Sequence, residues 1–582
     1  MDITGQVSDW LARLEARLAS GEIAAAVALF QPDGIWRDLV ALTWNIHPAE
    51  GADRIAAMLE ACAEAPRDFV LAGPARTVED WVEAEFTFRT RSVAGRGHVR
   101  LKGGRAWTLV TSAEALLDHP WAEGPAREIG TVHGAVPGRR GWSRQISDTP
   151  DVIIIGGGQG GMALGARLQF LGVHAVILEA RARAGDSWRD RYESLCLHDP
   201  VWYDHMPYIP FPAGWPVFTP KERMADWLEM YAKVMALDYR AGSRVVRAER
   251  VGGTWKVFVS CDRGETALRA PHLVFATGMS GYPDVPVFPG ANSFAGRRLH
   301  SSQYRTAHDH RGARAVVIGS NTSAHDICHD LWEHGVPVTM VQRSSTLVAR
   351  SANVVENLLG PSYSEEALVA GITTERGDFL ATTWPWALMA ERMKPVAAKM
   401  AEADADLHKR LVSRGFLLDN GPDGSGIPLK SARRGGGFYI DVGASDLIAD
   451  GKIGLASGKG VARIETDGVV LQDGTRLECD LIVYATGFGS MNRFVAELCG
   501  QSVADQVGKV WGLGSATEKD PGPWEGELRN MWKPTAVPGL WFHGGNLAQS
   551  RHYSRLLAIQ IKARLASVPA PVHAQARVNH HE

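Results

Sequence analysis

Apolar residues at Val7, Trp10, Leu11, Leu14 and Leu18 recur at helical spacing, which predicts an amphipathic helix near the start of the chain. A second helix is expected over Ile23 to Phe30 and a third over Asp53 to Cys62. The period then changes to two. Val82, Ala84, Phe86 and Phe88 alternate with Glu83, Glu85, Thr87 and Arg89, the pattern of a strand with one buried and one wet face. Val99–Leu101 and Trp107–Leu109 flank Gly103-Gly104, a hairpin signal. Helices followed by antiparallel strands make an α+β unit over residues 1–135. Gly, Pro, Ser and Arg then crowd 136–148, which reads as a linker. From Asp151 onward apolar β runs alternate with helical segments, the signature of α/β domains with parallel sheets.

The 582 residues are enough for three or four domains at roughly 150 residues each. A net charge of −3 gives no electrostatic case for nucleic acid or an anionic membrane. The six cysteines are scattered, without a CxxC pair or zinc spacing, as in reduced cytosolic proteins. No run of ~18 uncharged apolar residues is present, and the N-terminus lacks a signal-peptide apolar core. A soluble, cytoplasmic protein with no metal site is therefore expected, its last residues 568–582 a polar tail.

One chemical device occurs twice. Val152–Ile155 runs into Gly156, Gly158 and Gly161, a GxGxxG arrangement between a strand and a helix. Glycine there allows a tight turn, close backbone approach to a pyrophosphate, and close helix–strand packing. The helix N-terminus then directs free N–H groups at the phosphates. A second strand ends in Glu179, 23 residues after Gly156, where a carboxylate binds a ribose diol and repels a 2′-phosphate. The second device follows Ala315–Ile318 and reads Gly319, Asn321, Thr322, Ser323 and Ala324. Asn is the non-glycine residue that best tolerates left-handed backbone, and Ala still permits close packing. Its next strand ends in Gln342-Arg343, which removes the acid and favours the 2′-phosphate of NADPH, with NADH also acceptable. Two nucleotide sites in one chain imply hydride passage from nicotinamide to a flavin, with FAD at the first site. A flavin disulfide reductase needs a redox cysteine pair, which is missing.

Between the devices, Phe294, Gly296, His300 and Tyr304 fit FxGxxxHxxx(Y/F). On this fingerprint the chain resembles the class B flavoprotein monooxygenases, and with Tyr304 the flavin-containing monooxygenases in particular. Gly185-Asp186-Ser187-Trp188 resembles the family's GGxW flavin loop, and Ala276-Thr277-Gly278 and Ala485-Thr486-Gly487 its two ATG segments. The N-terminal unit, with Gly34 to Leu39, is similar to the NTF2-like (SnoaL-like) cone fold of the longer, type II branch. The resemblance implies an α/β fold of two Rossmann-type domains, for FAD and NADP, behind an α+β cone domain. It places the FAD domain at 149–285 plus 465–567 and the NADP domain at 286–464.

The implied activity is FAD-dependent, NAD(P)H-consuming oxygenation through a flavin C4a-(hydro)peroxide. Baeyer–Villiger oxidation of small or cyclic ketones leads; S- or N-oxygenation, indole oxidation, and peroxide release by an NADPH oxidase or flavin reductase are the alternatives. By the same resemblance Gly156, Gly158, Gly161, Glu179, Gly185, Trp188, Gln303, Gly319, Asn321, Thr322, Ser323, Arg343, Ala485, Thr486, Gly487 and Leu547 hold the cofactors. His198, where many relatives carry asparagine, Asn546 before the last helix, and Arg350 after the second nucleotide strand are candidate catalytic residues. Two of them have a bland alternative: a packed loop histidine for His198, and a solvated or phosphate-binding arginine for Arg350. The expected partners are a small organic substrate, dioxygen and a second copy of the chain.

Overall fold

The computed structural model describes residues 2–127, 129, 149–262, 264–518 and 520–575, so the linker stretch 136–148 lies outside it. The first helix, Ile3–Ala19, starts at Asp2, whose side chain accepts the Gly5 N–H at 2.6 Å, and buries the five apolar residues of its stripe. The second helix is shorter than the pattern suggests, Ile23–Val27. Phe30 opens the strand Phe30–Leu39 instead, where its ring packs 5.8 Å from Trp10 and 5.7 Å from Trp36. Burial of a large aromatic in the sheet outweighs local helix preference. The third helix is Ala52–Ala61.

These helices cover a seven-stranded sheet. Its order is Ile46–Glu50, Phe30–Leu39, Arg105–Leu116, Val93–Lys102, Trp81–Arg89, Arg67–Leu71, with Arg76–Val78 also paired to Trp81–Arg89. Phe30–Leu39 and Arg105–Leu116 run parallel and the other neighbours antiparallel. Gly103 and Gly104, with φ of 54° and 77°, close the expected hairpin in two residues, a turn that requires positive φ at both. The period-two strand holds one surprise. Glu83, expected on the wet face, is buried, because Arg76 and Arg100 pair with its carboxylate at 2.7 and 3.1 Å.

Two parallel five-stranded sheets follow. The first is ordered Asp238–Arg240, Ala175–Leu178, Val152–Ile155, His272–Phe275, Leu540–Phe542. The second is ordered Arg297–His300, Leu481–Tyr484, Ala315–Ile318, Val338–Gln342, Gly454–Ser457. Leu481–Tyr484 lies inside the second sheet, so the second unit continues past the expected boundary at 464 to the turn after Tyr484. Short antiparallel meanders, residues 244–270 and 461–478, leave the two sheets. The second unit also carries a helical insertion between the paired strands Leu347–Arg350 and Phe438–Asp441, including Thr374–Thr382 and Trp386–Ala403. The final helix, Leu547–Leu565, packs on the helix Gln159–Phe170. One apolar core runs unbroken from the N-terminal sheet into the first parallel sheet.

Candidate functional site

The first cradle is built by backbone proximity. Gly156 has φ of 108°, and a Cβ on Gly161 would lie 2.0 Å from the Gly156 carbonyl oxygen, so only glycine lets the strand turn straight into the helix. The Glu179 carboxylate is buried at the end of the next strand, accepting the Gly157 and Arg181 N–H groups at 2.8 Å each. Each oxygen keeps a free lone pair for a ribose hydroxyl. Gly185 turns in the left-handed region and starts the short helix Asp186–Arg189, which brings Trp188 to the cavity wall. A second helix N-terminus converges on the same place: Gly544 Cα sits 3.3 Å from where a Gly160 Cβ would be.

The second cradle repeats the turn, with Gly319 at φ of 132°. Asn321 corrects one expectation: its φ of −98° is extended, as is the equivalent Gly158 at −77°. The middle position is thus chosen for room, not for left-handed geometry. Gln342 is fully buried and exchanges two hydrogen bonds with the Leu417 backbone, at 2.8 and 2.9 Å. It is structural, leaving exposed Arg343 as the group free to meet a ribose phosphate. Gln303 accepts the His300 N–H at 2.9 Å, and His300 Nε2 lies 3.0 Å from the Gly487 carbonyl. The fingerprint histidine thereby ties its own segment to Ala485-Thr486-Gly487, and Thr486 bonds on to the Asp284 carbonyl at 2.5 Å.

A cavity of about 1560 Å³ joins these parts. Gly156, Gly158, Glu179, Trp188, Thr277, His198, Thr322 and Asn546 line it, together with residues of the helical insertion and of the N-terminal sheet. Asn546 caps the last helix in a capping box with Gln549 and donates from Nδ2 to Tyr203 Oη at 3.0 Å. His198 Nε2 stands 3.7 Å from Asp326 of the second cradle's helix, whose carboxyl burial pushes up in pKa and which also accepts the Tyr192 hydroxyl at 2.6 Å. It therefore bridges the two units at the cavity wall. Arg350 is placed elsewhere. It lies off the cavity, its guanidinium forked onto Asp406 at 2.8 and 3.0 Å, and Asp404 lies 3.4 Å away. Leu547 is buried behind the wall, and Gly161, Gly185, Gln303, Gly319, Asn321, Ser323, Arg343, Ala485, Thr486 and Gly487 also stand off the cavity, so that of the second cradle only Thr322 reaches it.

The family profile described as pyridine nucleotide-disulphide oxidoreductase matches residues 153–376. The indole-3-pyruvate monooxygenase YUCCA1 of Oryza sativa subsp. japonica is 30% identical over 350 residues, which covers 60% of this chain and 79% of the relative. YUCCA6 of Arabidopsis thaliana, of the same name, is 28% identical over 352 residues, covering 60% and 78%. The chain belongs to the class B flavin-containing monooxygenases. Among solved structures, an oxidized steroid monooxygenase bound to NADP overlaps 72% of this chain and 86% of its own at a TM-score of 0.50 and 20% identity. A cyclohexanone monooxygenase overlaps 72% and 88% at 0.50 and 17%, and both likenesses show the two-Rossmann fold.

The cofactors of this flavin-containing monooxygenase are FAD and NADP, and its residues fit them. Ser187 Oγ and Thr277 Oγ1 line the first cradle's end of the cavity, buried and with no partner among the described residues, as donors awaiting a ligand do. None of the six cysteines lines the cavity, which separates this monooxygenase from the disulphide chemistry in the profile's name. No helix among the described residues is long and apolar enough to cross a membrane.

Several residues at and behind the cavity wall carry no sequence signal. Burial pushes the Asp199 carboxyl up to about 6, with His198 opposing the shift. Arg551 forks onto Asp378 at 2.7 Å in a buried pair, and Asp378 also accepts the Tyr363 hydroxyl at 3.0 Å. Arg37 of the N-terminal sheet reaches Glu527 at 2.5 and 2.7 Å and donates to the Thr382 carbonyl. His552 Nε2 is buried without a partner among the described residues.

Proposed function

We propose that this monooxygenase inserts one oxygen atom into a carbonyl compound, in the first place a small or cyclic ketone, at the expense of NADPH. The observation that carries the reading is a buried imidazole on the cavity wall, His552, whose Nε2 has no partner among the described residues. Burial, with the guanidiniums of Arg96, Arg555, Arg551 and Arg37, holds the cavity-lining His552 imidazole far below its usual pKa. A neutral imidazole with a ring nitrogen left over can hydrogen-bond the negative charge that develops on a carbonyl oxygen under attack, and gives no matching help to a sulfide or amine. The relatives support a carbonyl substrate, since they are named for indole-3-pyruvate, and the solved neighbours include a cyclohexanone monooxygenase.

FAD, reduced by NADPH, supplies the activation of dioxygen. This chain's residues do the rest. The N–H groups beyond Gly156 hold the pyrophosphate, Glu179 accepts from the ribose, and exposed Arg343 meets the 2′-phosphate of NADPH. The Asn546–Tyr203 bond fixes the positive end of the last helix at the cavity, where it steadies negative charge. Tyr363, Leu380, Met389 and Met393 make an apolar wall that keeps water from the reacting atoms. His198, linked to Asp326, holds the two units in register across that wall.

The test is a panel of cyclic ketones and matched cyclic sulfides under NADPH with FAD-loaded enzyme. Lactone formation with kcat/KM well above that for sulfoxide formation is expected. Sulfoxides as the preferred products, or hydrogen peroxide with no oxygenated product, overturn the reading.

A further inference from the structure

The N-terminal sheet contributes to the cavity as well as covering it. Arg76, Val78, Trp81, Glu83 and Arg100 of this sheet form one end of the cavity, facing Trp384 and Arg392 of the helical insertion. The two units are locked there. Arg100 donates to the Thr383 carbonyl and hydroxyl at 2.8 Å each, and Trp81 and Trp107 meet the Trp384 ring edge-on at 5.9 Å. Guanidiniums cover Trp384 as well, Arg100 at 3.6 Å and Arg392 at 3.9 Å from its ring centre.

Charge at this end is unbalanced. Glu83 serves both Arg76, at 2.7 Å, and Arg100, at 3.1 Å. Arg392 has Glu79 and Glu83 in its neighbourhood, but among the described residues it makes no ion-pair contact. Burial lowers Arg100 to about 9, and Arg392 and Arg76 add to the shift against Glu83. Such crowding of cations is relieved when an anion enters. Independently, His552 further along the same wall keeps a buried Nε2 without a partner among the described residues.

We propose that the end of the cavity beneath the N-terminal sheet is a subsite for a carboxylate carried by the substrate, held by Arg392 and Arg76, with the Trp81 and Trp384 rings against the adjoining apolar part. The subsite rests on the reading of this cavity as the substrate chamber. It makes the N-terminal domain a determinant of specificity and narrows the substrate to an arylalkyl or alkyl carbonyl compound with a remote acid group. Trp81 supplies a flat apolar face, and Arg392 supplies a charge that no carboxylate among the described residues holds in an ion pair.

Binding without turnover tests this on the full-length, FAD-loaded enzyme. The probes are 3-phenylpropionate and its neutral amide, titrated against intrinsic tryptophan fluorescence at low and high salt. The carboxylate is expected to bind about tenfold or more tighter than the amide, with an advantage that shrinks as salt rises. Arg392→Gln removes the advantage, Arg392→Lys restores part of it, and Arg76→Gln, at a solvent-facing side chain whose partner Glu83 still keeps Arg100, reduces it. Equal affinity for acid and amide in the wild type, or equal weakening of both by Arg392→Gln, overturns the subsite. A carboxylate preference with no ketone oxygenated counts against the ketone reading alone.

Discussion

Arg37→Met tests how the N-terminal sheet is held to the catalytic units. Arg37 lies in the strand Phe30–Leu39, yet its partners come from residues 382 and 527. Its guanidinium and the Glu527 carboxylate are 2% and 4% exposed and meet at 2.5 and 2.7 Å. Removing one member of such a pair leaves a buried carboxylate without its counter-charge, which costs about 3–5 kcal/mol. The orphaned Thr382 carbonyl adds to this. Replacing both members, Arg37→Met with Glu527→Leu, removes the stranded charge, so the double variant should lose only about 1–3 kcal/mol. The coupling between the two sites is then about 2 kcal/mol or more. Urea unfolding of the FAD-loaded protein, followed by tryptophan fluorescence and by flavin release, measures all the corners of this cycle. A cost below about 1 kcal/mol for Arg37→Met, or strict additivity in the double variant, would show that the pair does not couple the sheet to the rest.

The other predictions concern the cofactors and the cavity. Asp199 has its folded pKa raised from 3.8 to about 6, so its ionisation opposes folding: the penalty is absent below about pH 4, grows between pH 4 and 6, and is complete above. Two pKa units correspond to about 3 kcal/mol at most, so Asp199→Asn should gain stability over wild type as pH rises through that window, and a pH-independent difference in unfolding midpoints would refute the assignment. Arg343→Ala should weaken NADPH about tenfold or more while changing NADH little, measured as the concentration dependence of anaerobic flavin reduction. Equal losses would contradict the 2′-phosphate role. Gly161→Ala places a Cβ 2.0 Å from the Gly156 oxygen and should yield protein that does not retain FAD, visible as loss of flavin absorbance after gel filtration.

The parts legible in the sequence are those where chemistry demands local spacing. Gly156, Gly158 and Gly161 are forced by one strand–turn–helix, and the pairing of Val152–Ile155 with its neighbours follows from the apolar runs. The alternation in Trp81–Arg89 gives the strand but misplaces Glu83, because burial of a carboxylate depends on arginines in other strands and other segments. Gln342 sits where a ribose ligand is expected but is spent on the Leu417 backbone, 75 residues away. Arg350 has the approximate position of a catalytic arginine, yet the helix beginning at Ala405 brings Asp406 up to take it. The cavity's basic end is illegible for the same reason. Arg100 and Thr383 are 283 residues apart, and no periodicity in either segment announces their contact.

Isotope labelling tests the central claim most directly. The FAD-loaded protein, supplied with NADPH and 18O2, is offered an aryl-substituted ketone carrying a remote carboxylate, and products, water and peroxide are followed by mass spectrometry. One labelled oxygen in the organic product for each NADPH consumed, with the second in water and little peroxide, is the predicted result. NADPH oxidation that returns all the label as hydrogen peroxide, with no labelled ester from any ketone, would contradict it.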